Sequence, residues 1–279
     1  MIQKSYDDTN SLYLIPTPIG NMDDITNRAI NTLKMVDFVL CEDTRVTGEL
    51  LSKLGIKKKL IHSDDHTEDN VKTKVLRLLE EGNNIGLVTD RGTPIISDPG
   101  YKIVEYVSSN GFNVISLPGA TAFVPALTMS AISPSPFIFY GFLNSKSSKR
   151  IKELESLKYL PFTIIFYEAP HRINSTLNDL LSVFGDRKVA LCREISKKFE
   201  ECIRGSITDI LNSIENIKGE IVLVVSGNMN DNDFSDLTLK EHVKLYLDDG
   251  LSEKEAIKKV AFERKIQKSI VYKEYHLNK

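Results

Sequence analysis

Short apolar runs alternate with helix-spaced apolar positions along the first part of the chain. Leu12 to Ile15 is an apolar run, Asn21 to Asp24 supplies capping side chains, and Ile25, Ala29, Ile30, Leu33 and Val36 then recur at helical spacing. Phe38 to Cys41 predicts a second strand. Val71, Val75, Leu76 and Leu79 predict a helix that leads through Glu81-Gly82-Asn83 to a strand over Ile85 to Thr89. Ile103, Val104 and Val107 predict another, leading through Asn110-Gly111 to a strand over Val114 to Leu117. Repeated strand-helix alternation of this kind predicts a parallel sheet covered by helices on both faces.

From Phe137 the pattern changes. The runs Phe137 to Phe142, Phe162 to Tyr167, Lys188 to Arg193 and Ile221 to Val225 are richer in Phe and β-branched residues and predict a second, mixed sheet. Pro118 to Ser135 is rich in small residues, Thr and Pro, and suits a boundary passing through a cleft. After the polar stretch Asn228 to Asp236, Ser252 and Glu255 form a capping box ahead of Ala256, Ile257, Val260 and Ala261. A second short helix holds Ile270, Val271 and Tyr275. The expected organisation is an α/β domain over residues 1–118 with a parallel sheet, a second α/β domain over 119–230 with a mixed sheet, and a helix-turn-helix-like appendage over 237–279.

Composition narrows the class without naming an activity. With 41% hydrophobic and 27% charged residues among 279, the chain lies in the ordinary globular range and outside those of collagen, coiled coil and disorder. No apolar run approaches the roughly 18 residues of a membrane span, and the polar stretch Met1 to Asn10 lacks a signal-peptide pattern, so a cytoplasmic location is expected. Cys41, Cys192 and Cys202 have no Cys-x-x-Cys spacing, predict reduced thiols and give no reason to expect a metal site. A formal charge of -2 excludes a general polycation, so a nucleic-acid partner would need local patches. Two exist: Lys146, Lys149, Arg150 and Lys152, and a tail carrying Lys258, Lys259, Arg264, Lys265, Lys268, Lys273 and Lys279 against Glu263 and Glu274. A solvated face is the commoner meaning of such runs.

Candidate chemistry gathers at strand ends. Pro16 to Asn21 follows the first strand but has neither the three glycines of a dinucleotide fingerprint nor a phosphate-loop lysine. Thr89 to Gly100 runs on from a strand and carries Gly92, Pro94, Pro99 and Gly100, giving backbone that can approach a ligand closely, with Asp90 as an acceptor or a plain Asx turn. Leu117 to Ala122 offers small residues at a helix start. Phe166 to Arg172 crowds an aromatic, a carboxylate, an imidazole and a guanidinium into one strand end. Cys41 to Arg45 places Glu42, Asp43 and Arg45 beyond another, where an ion pair closing a helix start is the simpler reading.

In this order, LIPTPIGN, CEDTR, TDRGTPIISDPG, SLPGATA, FYEAPHR and REISKKFEE resemble the ribosomal RNA small subunit methyltransferase I family, within the tetrapyrrole-methylase superfamily. The resemblance spans the whole chain, including the tail SEKEAIKKVAFERKIQKSIVYKEY. It implies a tetrapyrrole-methylase-like fold with two α/β domains, a cofactor cleft between them and a small C-terminal helical appendage. It also implies a homodimer that uses S-adenosylmethionine to methylate the 2′-hydroxyl of a cytidine in the decoding region of small-subunit rRNA, free or in a ribosomal subunit. By motif, the cofactor shell would include Pro18, Asp90, Gly92, Thr93, Gly119, Ala120, Thr121, Tyr167 and Arg193. This chain departs from the family's usual residues at Arg91 (Ala), Ser130-Ala131-Ile132 (Ser-Gly-Leu) and Asn144 (Pro), and Arg91 puts a long cation beside the cofactor loop.

A ribose hydroxyl is a weak acid, so a base or a cation that steadies the developing alkoxide should assist transfer, and no metal is required. The candidates are Glu42, Asp43, Arg45, Glu168, His171 and Arg172, followed by Glu194 and Lys197, with no role assigned to any one of them. Lys146, Lys149, Arg150, Lys152 and the basic tail are the expected phosphate contacts. Two other readings stay open at this stage: a methyltransferase of the same fold acting on a tetrapyrrole or a protein, and an inactive ribosome-assembly factor that binds RNA.

Overall fold

In a computed structural model of the chain, residues 3–5, 9–215, 217–228, 237–264 and 266–277 are described. The first sheet contains β1 (Ser11–Leu14), β2 (Phe38–Cys41), β3 (Lys59–His62), β4 (Ile85–Leu87) and β5 (Asn113–Ser116), all parallel, in the order β3-β2-β4-β1-β5. Between them run α1 (Asn27–Met35), α2 (Thr44–Lys53), α3 (Glu68–Glu80) and α4 (Tyr101–Ser109). Local chemistry starts two of these helices: Thr26 accepts a hydrogen bond from the Ala29 amide, and Asp43 from the Arg45 amide. Leu33, Val36 and Leu51 cover one face of the sheet with Ile15, Val39 and Val88; Val75, Leu79, Ile103 and Val107 cover the other. Burial on both faces is why the inner strands are unbroken apolar runs.

The expected first sheet had four strands, and β3 is the fifth. It is an edge strand reading Lys-Leu-Ile-His, exposed at both ends and half-buried between, so it carries no apolar run for a sequence to show.

The second sheet contains β6 (Phe137–Phe142), β7 (Thr163–Glu168), β8 (Lys188–Arg193), β9 (Glu201–Ser206) and β10 (Ile221–Val225), in the order β6-β7-β10-β8-β9. Only β6 and β7 run parallel, so the sheet is mixed. One face is buried by α6 (Ser147–Leu157), α7 (Ile173–Phe184) and α8 (Ile207–Ser213), through residues such as Leu154, Leu177 and Ile210 on Phe166, Leu191 and Leu223. The other face receives α5 (Phe123–Met129) together with Ile19 from the loop after β1, and this shared cluster joins the two sheets. β9 was also unexpected, and it too is a half-exposed edge strand. It brings Cys202 opposite Cys192, with 2.9 Å between the two free thiols.

The chain ends in three helices, α9 (Leu239–Asp248), α10 (Glu253–Glu263) and α11 (Lys268–His276), around Val243, Tyr246, Ile257, Val260 and Val271. The Ser252–Glu255 capping box forms as expected. α9 adds a helix to the expected pair, started by a second capping box between Thr238 and Glu241. Within the basic tail, Lys265 and Lys279 lie outside the described residues, as does most of the polar stretch before α9.

Candidate active site

The loops that leave the carboxyl ends of β1, β4 and β5 are tied together. Thr17 and Gly92 exchange backbone hydrogen bonds of 2.9 and 3.1 Å, and the Thr93 hydroxyl donates to the Ala120 carbonyl at 2.9 Å. Close approach demands glycine at two points. A Cβ on Gly119 would lie 2.3 Å from that of Pro16, and Gly92 has φ +89°. Ile95 and Ser97 also take positive φ, +76° and +67°, which costs side-chain-bearing residues energy and is held by the surroundings. One restraint is the buried Glu68 carboxylate, which accepts from the Gly100 amide at 2.5 Å. Sequence reading did not single out Glu68.

Between these loops and the second sheet lies a cleft of about 340 Å³, within the size range of small-molecule sites. The first domain contributes Ile19, Arg91, Gly92, Thr93 and the segment around Asp98; Thr121 and Ala122 come from the start of α5; Phe142, Tyr167, Ile195 and the strand start Gly219 to Val222 form the facing wall. Tyr167 is braced by the rings of Phe139 and Phe142, at 5.0 and 5.5 Å, and burial pushes its hydroxyl pKa up. Burial raises the Asp98 carboxyl to about 6, with the nearby Glu42, Asp90 and Asp65 carboxylates adding repulsion. Glu42 is raised by the same two causes.

The other sequence candidates divide by what already holds them. Asp43 caps α2 and pairs with Arg45 at 2.6 Å; Arg45 hydrogen bonds hold its carboxyl at about 2. Asp90 accepts from the Asp43 amide at 3.2 Å, joining two loops. Glu168 is buried, accepting from the Ala169 amide at 2.7 Å, Arg172 Nε at 2.8 Å and the Thr176 hydroxyl at 2.6 Å. The residue borders the cleft, but its side chain is fully enclosed and its carboxylate engaged, which suits bracing the loop after β7. His171 is exposed, and neither it nor Arg172 lines the cleft. Among the described residues no three His, Cys, Asp or Glu side chains are placed to hold a metal ion.

Comparison with known proteins places this geometry. The family model for Tetrapyrrole (Corrin/Porphyrin) Methylases matches residues 11–211. A protein of Bacillus subtilis (strain 168) named ribosomal RNA small subunit methyltransferase I is 46% identical over 278 residues, covering 97% of this chain and 95% of that protein. A protein of the same name from Synechocystis sp. is 40% identical over 266 residues, covering 94% and 95%. The chain belongs to the ribosomal RNA small subunit methyltransferase I family. Among solved structures it is similar to uroporphyrin-III-C-methyltransferase from Thermus thermophilus, with TM-score 0.57 and 19% identity over 78% of this chain and 94% of that one. It is also similar to the methyltransferase CobJ, with TM-score 0.61 and 16% identity over 79% and 95%. At such identities the likeness is one of fold.

Of the shell that the ribosomal RNA small subunit methyltransferase I motifs implied, Gly92, Thr93, Thr121 and Tyr167 line the cleft. Pro18, Asp90, Gly119 and Ala120 do not line it; Asp90, Gly119 and Ala120 instead hold the loops together. Arg193 instead pairs with Glu201 across β8 and β9 at 2.5 Å. The wall residues Asp98, Ile195 and Glu220 were missed, although Asp98 sits inside a quoted motif and Glu220 immediately precedes an all-apolar strand. The basic patch on α6 needs a correction. Lys146, Lys149 and Lys152 are exposed, but Arg150 is 2% exposed, pairs with Asp179 at 2.6 Å and donates to the carbonyls of Asn144 and Ser145. A guanidinium so enclosed cannot reach a phosphate; it ties α6 to α7.

Proposed function

We propose that the chain is an S-adenosylmethionine-dependent methyltransferase of small-subunit rRNA, and that it modifies the 2′-hydroxyl of a cytidine ribose in the decoding region. What carries the reading is the cleft between the two sheets, walled by loops that bear the family's motifs. Its donor set fits that cofactor. Ile19, Ile195, Tyr167 and Val222 offer apolar surface for a purine, while the Thr93 and Thr121 hydroxyls offer polar partners for a ribose. When bound, the cofactor supplies a methyl group already activated on a sulfonium.

The chain's residues then exclude water from the apolar wall and orient the incoming hydroxyl. Asp98 is a wall carboxylate that burial raises to about 6, so it would take up the hydroxyl proton on a carboxylate oxygen. Lys146, Lys149 and Lys152, with the lysines of the tail, would hold the RNA phosphates. A cytoplasmic homodimer is part of the same proposal. The edge strand β6, which exposes Phe137, Tyr140 and Phe142, supports it by offering apolar surface for a second copy.

The test is incubation of the protein and methyl-labelled cofactor with small ribosomal subunits, free rRNA and uroporphyrinogen. Label is expected in rRNA as an alkali-resistant 2′-O-methyl dinucleotide. Label on a base, a protein or the tetrapyrrole would overturn the assignment.

A further inference from the structure

The cleft carries one ion pair that no motif anticipates. Arg91, on the loop after β4, meets Glu220, just before β10, and both residues line the cleft. Their side chains remain 55% and 59% exposed, so neither is committed to the interior. The two ends of the pair are held very differently. Glu220 also accepts from Lys197 at 2.9 Å; Lys197 is held by Glu194 at 2.8 Å; and Glu194 accepts the Glu220 backbone amide at 3.1 Å. The carboxylate therefore stays in place whether or not Arg91 is there. Arg91 has Glu220 as its one hydrogen-bond partner among the described residues. Its departure would not undo domain closure, because Ile19 in the shared apolar cluster and the Ser196–Asp24 hydrogen bond also join the domains.

Two opposite charges, side by side, exposed and facing a cavity, complement a ligand group that itself carries two opposite charges side by side. An α-amino acid terminus is such a group. Its carboxylate can take the planar guanidinium fork, and its ammonium can take the pinned carboxylate. We propose that Arg91 and Glu220 form an amino-acid subsite: they neutralise each other in the free chain and exchange partners when a nucleoside bearing an amino-acid tail binds. The exchange keeps the local charge unchanged, since Arg91 and Lys197 balance Glu194 and Glu220 before and after. It also turns the departure from Ala at position 91 into a specificity element of this chain.

The subsite rests on the cofactor reading above, and two ligands separate them: S-adenosylhomocysteine, which has the amino-acid tail, and 5′-methylthioadenosine, which keeps the nucleoside and thioether without it. Titration calorimetry on the full chain should show the first binding more tightly. Arg91→Ala should weaken S-adenosylhomocysteine by about tenfold, as expected for one lost charge-assisted hydrogen-bond pair, and leave 5′-methylthioadenosine within about twofold. Glu220→Gln should do the same through the ammonium. Unchanged thermal midpoints would show that both variants fold. Equal changes for both ligands, no change for either, or tighter binding of both would show an inter-domain latch only and overturn the subsite while the cofactor reading stands. Failure of the unaltered chain to bind either ligand would overturn the cofactor reading and the subsite with it.

Discussion

The second domain encloses two ion pairs, and the cleft mouth displays another, built from the same kinds of side chain. In the interior, Arg150–Asp179 has exposures of 2% and 15%, and Arg172–Glu168 of 18% and 0%; at the mouth, Arg91 and Glu220 are both more than half exposed. Residue type does not separate them. Inside, each charge has given up most of its water, so removing one leaves the other enclosed without its counter-charge. At the mouth, water can replace either partner at little cost. The buried pairs therefore fix helices, and the exposed pair is free to trade partners.

The sharpest way to break this contrast is Arg150→Ala. Leaving the Asp179 carboxylate enclosed without its counter-charge should lower unfolding free energy by about 3 kcal/mol in urea titration, whereas Arg91→Ala should cost less than about 1 kcal/mol. Equal losses would refute the distinction. Next in size is the RNA effect of the exposed neighbours of Arg150. Replacing Lys149 and Lys152 by Ala should flatten the slope of log affinity against log salt by about 1.4–1.8, at an unchanged thermal midpoint. A slope that stays put would make this patch a solvated face.

The smallest effect concerns Asp98. Its folded pKa, about 6, lies above that of an unstructured aspartate, so the folded state binds this proton more tightly. The cost of ionising it is absent below the unfolded value and grows as pH rises through about 6. Asp98→Asn should thus raise the thermal midpoint at about pH 8 by roughly 2–4 °C, a burial effect discounted for partial exposure, and leave it unchanged at about pH 4. If Asp98 accepts the proton in transfer, the same variant also loses the acidic limb of the pH–rate profile near 6.

Strands buried on both faces, such as Phe38 to Cys41 and Ile221 to Val225, were legible because every position is apolar. The Gly- and Pro-rich loops were legible because their backbone needs those residues, and the Ser252–Glu255 capping box because its partners are three residues apart. These local rules pointed to the loops that wall the cleft, and the family resemblance named Gly92, Thr93, Thr121 and Tyr167 within them. They failed for the edge strands β3 and β9, whose one-sided pairing leaves no hydrophobic signature. They also failed for Arg150, which looks like its lysine neighbours in sequence and becomes structural only because α7 delivers Asp179 from 29 residues away. The meeting of Arg91 with Glu220 spans 129 residues. Sequence determines which groups a loop carries, since that depends on near neighbours along the chain. Which charge is buried, and which opposite charge it meets, is decided by packing between the two sheets, because desolvation and Coulomb attraction act through space.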